Sequence, residues 1–311
     1  MLLPHALARL KIPVTKCKVN LLTEPKRGAL LIALAAVLFG FLGALVKHLS
    51  EEMSNSMIVF FRNAGGLLAL LPFLRGQGSL RTQNFWGHFA RSLAGVGSMY
   101  LSFYAIGRMR LADAFVLVYS APLFMPFLGR WWLGEPIPRH AGGALLLGFG
   151  GVLLLLKPGW GVFQPVALLA LASGILSAVA QVGIRQLTRT EHPARIVFYF
   201  GIIATGLTAP SLVGSWKTPS GTLWIWLGVL GLMATAAQLL MTEGYRLASP
   251  GDVGSLMYAA VATAGVADWV FWRRLPDLLS LAGIGLIMAA GVWILRSTRS
   301  APLPKRLVAT P

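Results

Sequence analysis

Charge is scarce in this chain. Of its 311 residues 12% are Asp, Glu, Lys or Arg, where a soluble domain carries about 25%; 56% are apolar and the mean hydropathy is +0.70. Carboxylates are scarcest, ten against 27 Lys and Arg, so few groups are available for proton coupling or acid–base catalysis. Cysteine occurs once, as Cys17, and a disulfide framework is excluded. The histidines show no metal-site spacing, which argues against a metal or other cofactor. Walker A, H-E-x-x-H and G-x-S-x-G motifs are all missing, so neither ATP hydrolysis by this chain nor an intramembrane hydrolase has a motif to rest on. The first 27 residues lack the apolar core of a secretory signal, because Pro4, Arg9, Lys11 and Pro13 interrupt them.

What the chain has in abundance is apolar runs. Ten are long enough and uncharged enough to read as membrane spans: Gly28–His48, Ser56–Leu74, Phe85–Gly107, Leu111–Gly129, Arg139–Leu156, Pro165–Ile184, Ile196–Val213, Leu223–Tyr245, Val253–Trp272 and Leu278–Leu295. The connections are too short to hold a soluble domain, so the expected fold class is an all-α polytopic membrane protein. The net charge of +17 raises the question of nucleic acid, and its placement answers it. With ten alternating spans, eighteen Lys and Arg fall on the side of the N-terminus, seven on the other, and Arg62 and Arg91 within spans. That excess places both termini in the cytoplasm and assigns the basic residues to orientation in a lipid bilayer. No nucleic-acid partner is expected.

The chain also repeats itself. At an offset of 138, "IVFF" at Ile58–Phe61 meets "IVFY" at Ile196–Tyr199, Lys47 meets Arg185, Pro72 meets Pro210 and Arg108 meets Arg246. One inserted residue later, Asp113 meets Asp252 and Tyr119 meets Tyr258; after another, Gly143 meets Gly283 and Gly151 meets Gly291. Five spans per copy is odd, so the second copy enters the membrane from the opposite side. Such inverted repeats exchange outward-open and inward-open shapes around a site near the midplane, which favours transport.

The sequence resembles the EamA-type transporters of the drug/metabolite transporter superfamily. The likeness rests on ten spans in two halves, a basic residue ending the first span of each half, Arg62 in the second span, and Arg110–Gly159. In that last stretch a short loop, a Pro-bearing span, "GE" and a Gly-rich span follow in order. Where "LGEP" has Glu135, the second half has Arg274 in "FWRRLPD", a departure from the pattern. The resemblance implies a ten-helix bundle that moves small metabolites, often outward, in a bacterial inner membrane. Residues 1–27 then form a basic cytosolic tail, 28–157 and 164–296 the two repeats, and 297–311 a second tail. The expected function is alternating-access transport of a small amphipathic metabolite, amino-acid-like or nucleoside-like, as an exporter or exchanger. A lipid-linked phosphate flippase and an intramembrane enzyme are the alternatives, and a homodimer is one possible assembly.

A few residues stand out against the apolar background. Arg62 cannot shed its charge by deprotonation; it either snorkels to headgroups or faces the interior, beside Asn63 and the small Ala64-Gly65-Gly66. Arg91 and His88 lie in the first turns of the third span, where an interface anchor is expected. Gln181 and Gln238 sit away from span ends and need polar partners, in cargo or in protein. Tyr119 and Tyr258 are a repeat-related pair suited to lining a cavity or to ordinary helix contacts. Asp268 and Glu243 are the candidates for ion coupling; Asp113 and Asp252 begin spans and read as helix caps. Pro122 and Pro126 interrupt the fourth span as a hinge. The ninth span has no matching proline, so the halves need not move alike. Ala144, Gly148 and Gly151, with Gly285 and Ala289, permit close contact within the bundle or between protomers.

Overall fold

A computed structural model describes residues 24–74, 80–109, 111–137, 139–156, 165–272 and 277–297. Most of both expected tails lies outside these residues, as do Cys17 and Arg274 and the side chains of Asp113 and Asp268. The described residues are almost entirely helical: α1 (Glu24–Leu49), α2 (Asn55–Leu74), α3 (Phe85–Arg108), α4 (Leu111–Val118), α5 (Ala121–Leu133), α6 (Arg139–Leu156), α7 (Pro165–Leu187), α8 (Pro193–Thr208), α9 (Gly221–Leu247), α10 (Pro250–Val253), α11 (Ala259–Trp272) and α12 (Leu278–Ser297). Each of the ten apolar runs coincides with one helix or with a broken helix. Among the described residues five helices are by themselves long and apolar enough to cross a membrane: Glu24–Leu49, Asn55–Leu74, Pro165–Leu187, Pro193–Leu212 and Gly221–Leu247. Helix α1 already includes Glu24, inside the stretch read as tail. Large apolar side chains such as Leu68, Leu146, Leu168 and Met288 point outward, and Trp86, Trp224 and Trp226 at helix ends are exposed, as an interfacial belt requires.

The packing follows the repeat. Helix α1 lies against α9 and its equivalent α7 lies against α3, while α6 and α2 pair with their own equivalents, α12 and α8. The α6–α12 contact uses Gly151, where a Cβ would lie 2.7 Å from the Gly283 carbonyl. Gly285 and Ala289, expected from the sequence to permit close contact, are instead exposed, and Gly285 has open space beside it. The same equivalence holds in a hydrogen-bonding detail. Lys47 Nζ at the end of α1 donates to the carbonyls of Ile106 (2.9 Å) and Met109 (3.5 Å) at the end of α3. Arg185 at the end of α7 donates to the carbonyls of Tyr245 and Arg246, 2.9 Å each, at the end of α9. Carbonyls in a last helical turn have no intrahelical donor, so a cation satisfies them and complements the dipole.

The fourth span is broken between α4 and α5, at Tyr119–Ser120. Pro122 brings no N–H to continue the ladder, and at the break the Leu117 carbonyl accepts from both the Ser120 N–H (3.2 Å) and the Ser120 hydroxyl (2.6 Å). Gly174 makes room, since a Cβ there would lie 2.5 Å from Ser120 Oγ. Pro126 lies inside α5 without ending it. The ninth span breaks at the corresponding place although it has no proline: a 3₁₀ turn over Gly254–Tyr258 separates α10 from α11. An interruption of the α-helix is thus shared by both halves, with a proline beside it in the first and none inside the 3₁₀ turn of the second.

Candidate functional site

The two halves border a partly open cavity of about 160 Å³. It is lined from α1, α2, α3 and the α4–α5 break on one side, and from α7, α8, α9 and Met257 on the other. Of the residues singled out in the sequence, Arg62, Tyr119, Gln181, Gln238 and Pro122 all reach it. Arg62 is buried, and its Nη1 donates to Asn63 Oδ1 at 2.9 Å. Asn63 holds that acceptor in place by donating to the Val59 carbonyl at 2.9 Å, and it borders a small adjoining space shared with Arg62 and Gln238. Gln181 Nε2 donates to Ser177 Oγ at 2.9 Å, and Gln181 Oε1 accepts from the Tyr245 hydroxyl. Gln238 is buried with its Nε2 unpartnered. Tyr119 stacks on Phe115, with ring centroids 5.1 Å apart.

Arg91 corrects the reading from sequence. It is no interface anchor: it is 4% exposed, lines the cavity, and its guanidinium carbon lies 3.7 Å from the centroid of the Phe200 ring. Arg62 approaches the same ring at 5.5 Å. Phe200 is the repeat partner of Arg62, so the two equivalent positions meet across the interface between α2 and α8. A signal for Arg91 was present in the sequence, because Arg91, Gly95, Ser98 and Ser102 recur at helical spacing and all four face the cavity. His88 is also buried, stacked on Tyr199 at 4.6 Å.

Other candidates lie elsewhere. Tyr258 is buried in apolar packing beside Phe149, away from the cavity; a Cβ on Gly148 would lie 2.6 Å from its ring, and its hydroxyl has no partner. Glu243 forms an ion pair with Arg246 at the end of α9 (2.6 Å), outside the cavity. Among the described residues the lining includes two guanidiniums and no carboxylate.

Acids gather instead on the connections. Gly134, with φ of 67°, ends α5 in the left-handed region that favours glycine. It thereby turns Glu135 toward Arg185 (2.9 Å) and Arg189 (3.4 Å), which gives "GE" a structural meaning. Glu191, between α7 and α8, accepts from Thr82 Oγ1 and Arg195 Nη1. Burial raises its carboxyl pKa, but the Thr82 hydroxyl and Arg195 outweigh this and hold it below the ordinary value. A depressed folded pKa stabilises above the unfolded value of about 4.3 and is lost as pH falls through the folded one. Melting temperature should therefore drop on that acid limb. Glu191→Gln should lower it at neutral pH and flatten the limb; an unchanged limb would assign the acid loss to other groups.

The comparisons with known proteins agree with this architecture. The sequence profile of the EamA-like transporter family matches residues 26–157 and again 164–296. The chain belongs to the EamA-like transporter family. The pseudopaline exporter CntI of Pseudomonas aeruginosa is 33% identical over 278 residues, covering 88% of this chain and 98% of that one. The riboflavin transporter of Vibrio cholerae is 24% identical over 278 residues, with 87% and 93% covered. The S-adenosylmethionine uptake transporter of Rickettsia bellii is 24% identical over 257 residues, with 82% and 88% covered. A solved crystal structure 22% identical to this chain superposes with a TM-score of 0.75 over 86% of this chain and 97% of that one, a likeness of fold. As an EamA-like protein the chain is a multi-pass membrane transporter that moves a small metabolite by secondary transport.

Proposed function

We propose that the protein is an alternating-access exporter whose two five-helix halves, of opposite orientation, load cargo in the shared cavity. Ten spans, both termini in the cytoplasm and a bacterial inner membrane complete the reading. The observation that carries it is the cavity itself: it lies between the halves, is lined from both, and is flanked by helix pairs that the repeat interchanges. Export is supported by the 33% identity to a pseudopaline exporter. Arg62, Gln181, Gln238 and Tyr119 are the proposed cargo contacts, with Asn63 orienting Arg62. The broken spans at Tyr119–Ser120 and Gly254–Tyr258 are the proposed points of bending.

Two measurements test this. With Cys17→Ser as a thiol-free background, Ser98→Cys on the cavity wall should react with a membrane-impermeant thiol reagent from either face. Labelling from one face only, with and without cargo, would contradict alternating access. In proteoliposomes preloaded with a metabolite, beginning with pseudopaline, counterflow above that of protein-free vesicles is expected. Translocation of a fluorescent phospholipid without metabolite flux would make the protein a flippase instead.

A further inference from the structure

The geometry points to an oxyanion site built by Arg62, Arg91 and Phe200, which receives the carboxylate or phosphate head of a soluble cargo. This rests on the transport reading, whose substrate class it supplies. Both guanidiniums are buried, both approach one aromatic ring, and neither has a carboxylate partner among the described residues. Arg91 Nε and Nη1 have no hydrogen-bond partner at all. The ring satisfies a guanidinium face by cation–π attraction but not its edge of N–H donors: Arg91 keeps Nε and Nη1 unused, while Arg62 commits Nη1 to the neutral Asn63 Oδ1. Two like charges in a low-dielectric site repel, and a buried charge without a partner is costly. An anion bridging the two forks removes both penalties, and guanidinium forks match the planar geometry of a carboxylate.

The surroundings fit this assignment. Gly95 keeps the wall beside the clamp open: a Cβ there would lie 3.1 Å from the Phe200 ring and 3.8 Å from Arg91 Nη1. Ser98 and Ser102 follow one and two turns along α3, while Met99, Met241 and Met257 supply apolar, adaptable wall. The cavity therefore has a cationic end and a softer remainder. A ligand carrying one oxyanion on a compact apolar body matches both.

The test uses the full-length protein in neutral detergent and three probes of nearly equal size: benzoate, phenyl phosphate and neutral benzamide. An apolar cavity of about 150 Å³ admits benzene, so the ring is not too large. A ligand that binds only the folded form raises the melting temperature. At least one of the two anions should stabilise the protein while benzamide does not. Arg91→Gln should weaken the anion's binding roughly 10- to 100-fold, the range for a charge-assisted hydrogen bond. Arg91→Lys, which keeps the charge without the fork, should fall between. Equal stabilisation by benzamide, or an Arg91→Gln variant that melts normally yet binds as wild type does, overturns the proposal. So does stabilisation by phosphatidylglycerol with none by either soluble anion. Anion binding without metabolite flux would refute transport and leave the anion site standing. Undiminished flux in Arg91→Gln would do the reverse.

Discussion

Arg62→Ala will abolish metabolite flux, on the order of 100-fold or more, without lowering the melting temperature. The flux loss follows from removing a buried charge that meets its ligand by charge-assisted hydrogen bonds, an interaction whose loss costs roughly 2–5 kcal/mol. The retained stability follows from the cost of the charge itself. A guanidinium taken out of water carries a desolvation penalty of several kcal/mol, normally offset by a close counter-ion. Arg62 has one neutral acceptor at 2.9 Å, Asn63 Oδ1, and a ring at 5.5 Å. Asn63 would keep its own anchor to the Val59 carbonyl after the change. The residue thus opposes stability in the service of function. Proteoliposome flux and thermal melting in parallel read both halves of the expectation. Flux within twofold of wild type would remove Arg62 from the cargo contacts, and a collapse of the melting temperature would make it structural.

Gly231→Leu will prevent stable folding, and Gly231→Ala alone will destabilise by about 3 kcal/mol or more, beyond the usual cost of overpacking a core. At this point α2 and α9 cross backbone to backbone. A Cβ on Gly231 would lie 2.6 Å from the Gly65 carbonyl carbon and 2.9 Å from both Gly65 Cα and Gly66 N. None of those atoms is the movable end of a side chain, so the helices themselves must separate. Separation would also break the bond from Thr235 Oγ1 to the Gly66 carbonyl, 2.6 Å. Close approach through small residues is how helices gain contact in lipid, where the hydrophobic drive between them is absent. Melting in detergent checks it: an unchanged melting temperature for Gly231→Ala would show that the crossing yields. Gly228, one turn earlier, has open space where its Cβ would be, and Gly228→Ala is the matched control.

The helices and most of the site could be read from residues, because lipid imposes a simple rule on composition. Apolar length marked the helices, five of which are by themselves long and apolar enough to cross a membrane among the described residues. Three polar residues inside apolar runs, Arg62, Gln181 and Gln238, all line one cavity. The rule says less near span ends. Arg91 lies two turns into α3, where depth along the helix favours an anchor; only the azimuth, shared with Gly95, Ser98 and Ser102, shows that it turns inward. The repeat had a limit of another kind. It paired Tyr119 with Tyr258, yet the wall facing Tyr258 contains Gly148, and the ring sinks into that gap. Phe200, set opposite Arg62 in the repeat, looked like evidence that the scaffold needs no charge there. The fold shows the two positions as neighbours, a relation that requires knowing where the axis between the halves passes.

A chamber of about 160 Å³ is close in size to a cavity of about 150 Å³ that holds one benzene ring. It can grip one group of a metabolite, and the rest of a larger molecule must extend beyond it through the open side. Selection then acts on the gripped group, and tails of differing bulk pass on nearly equal terms. On that account one scaffold can serve several chemically unlike cargoes by changing a few side chains at the grip.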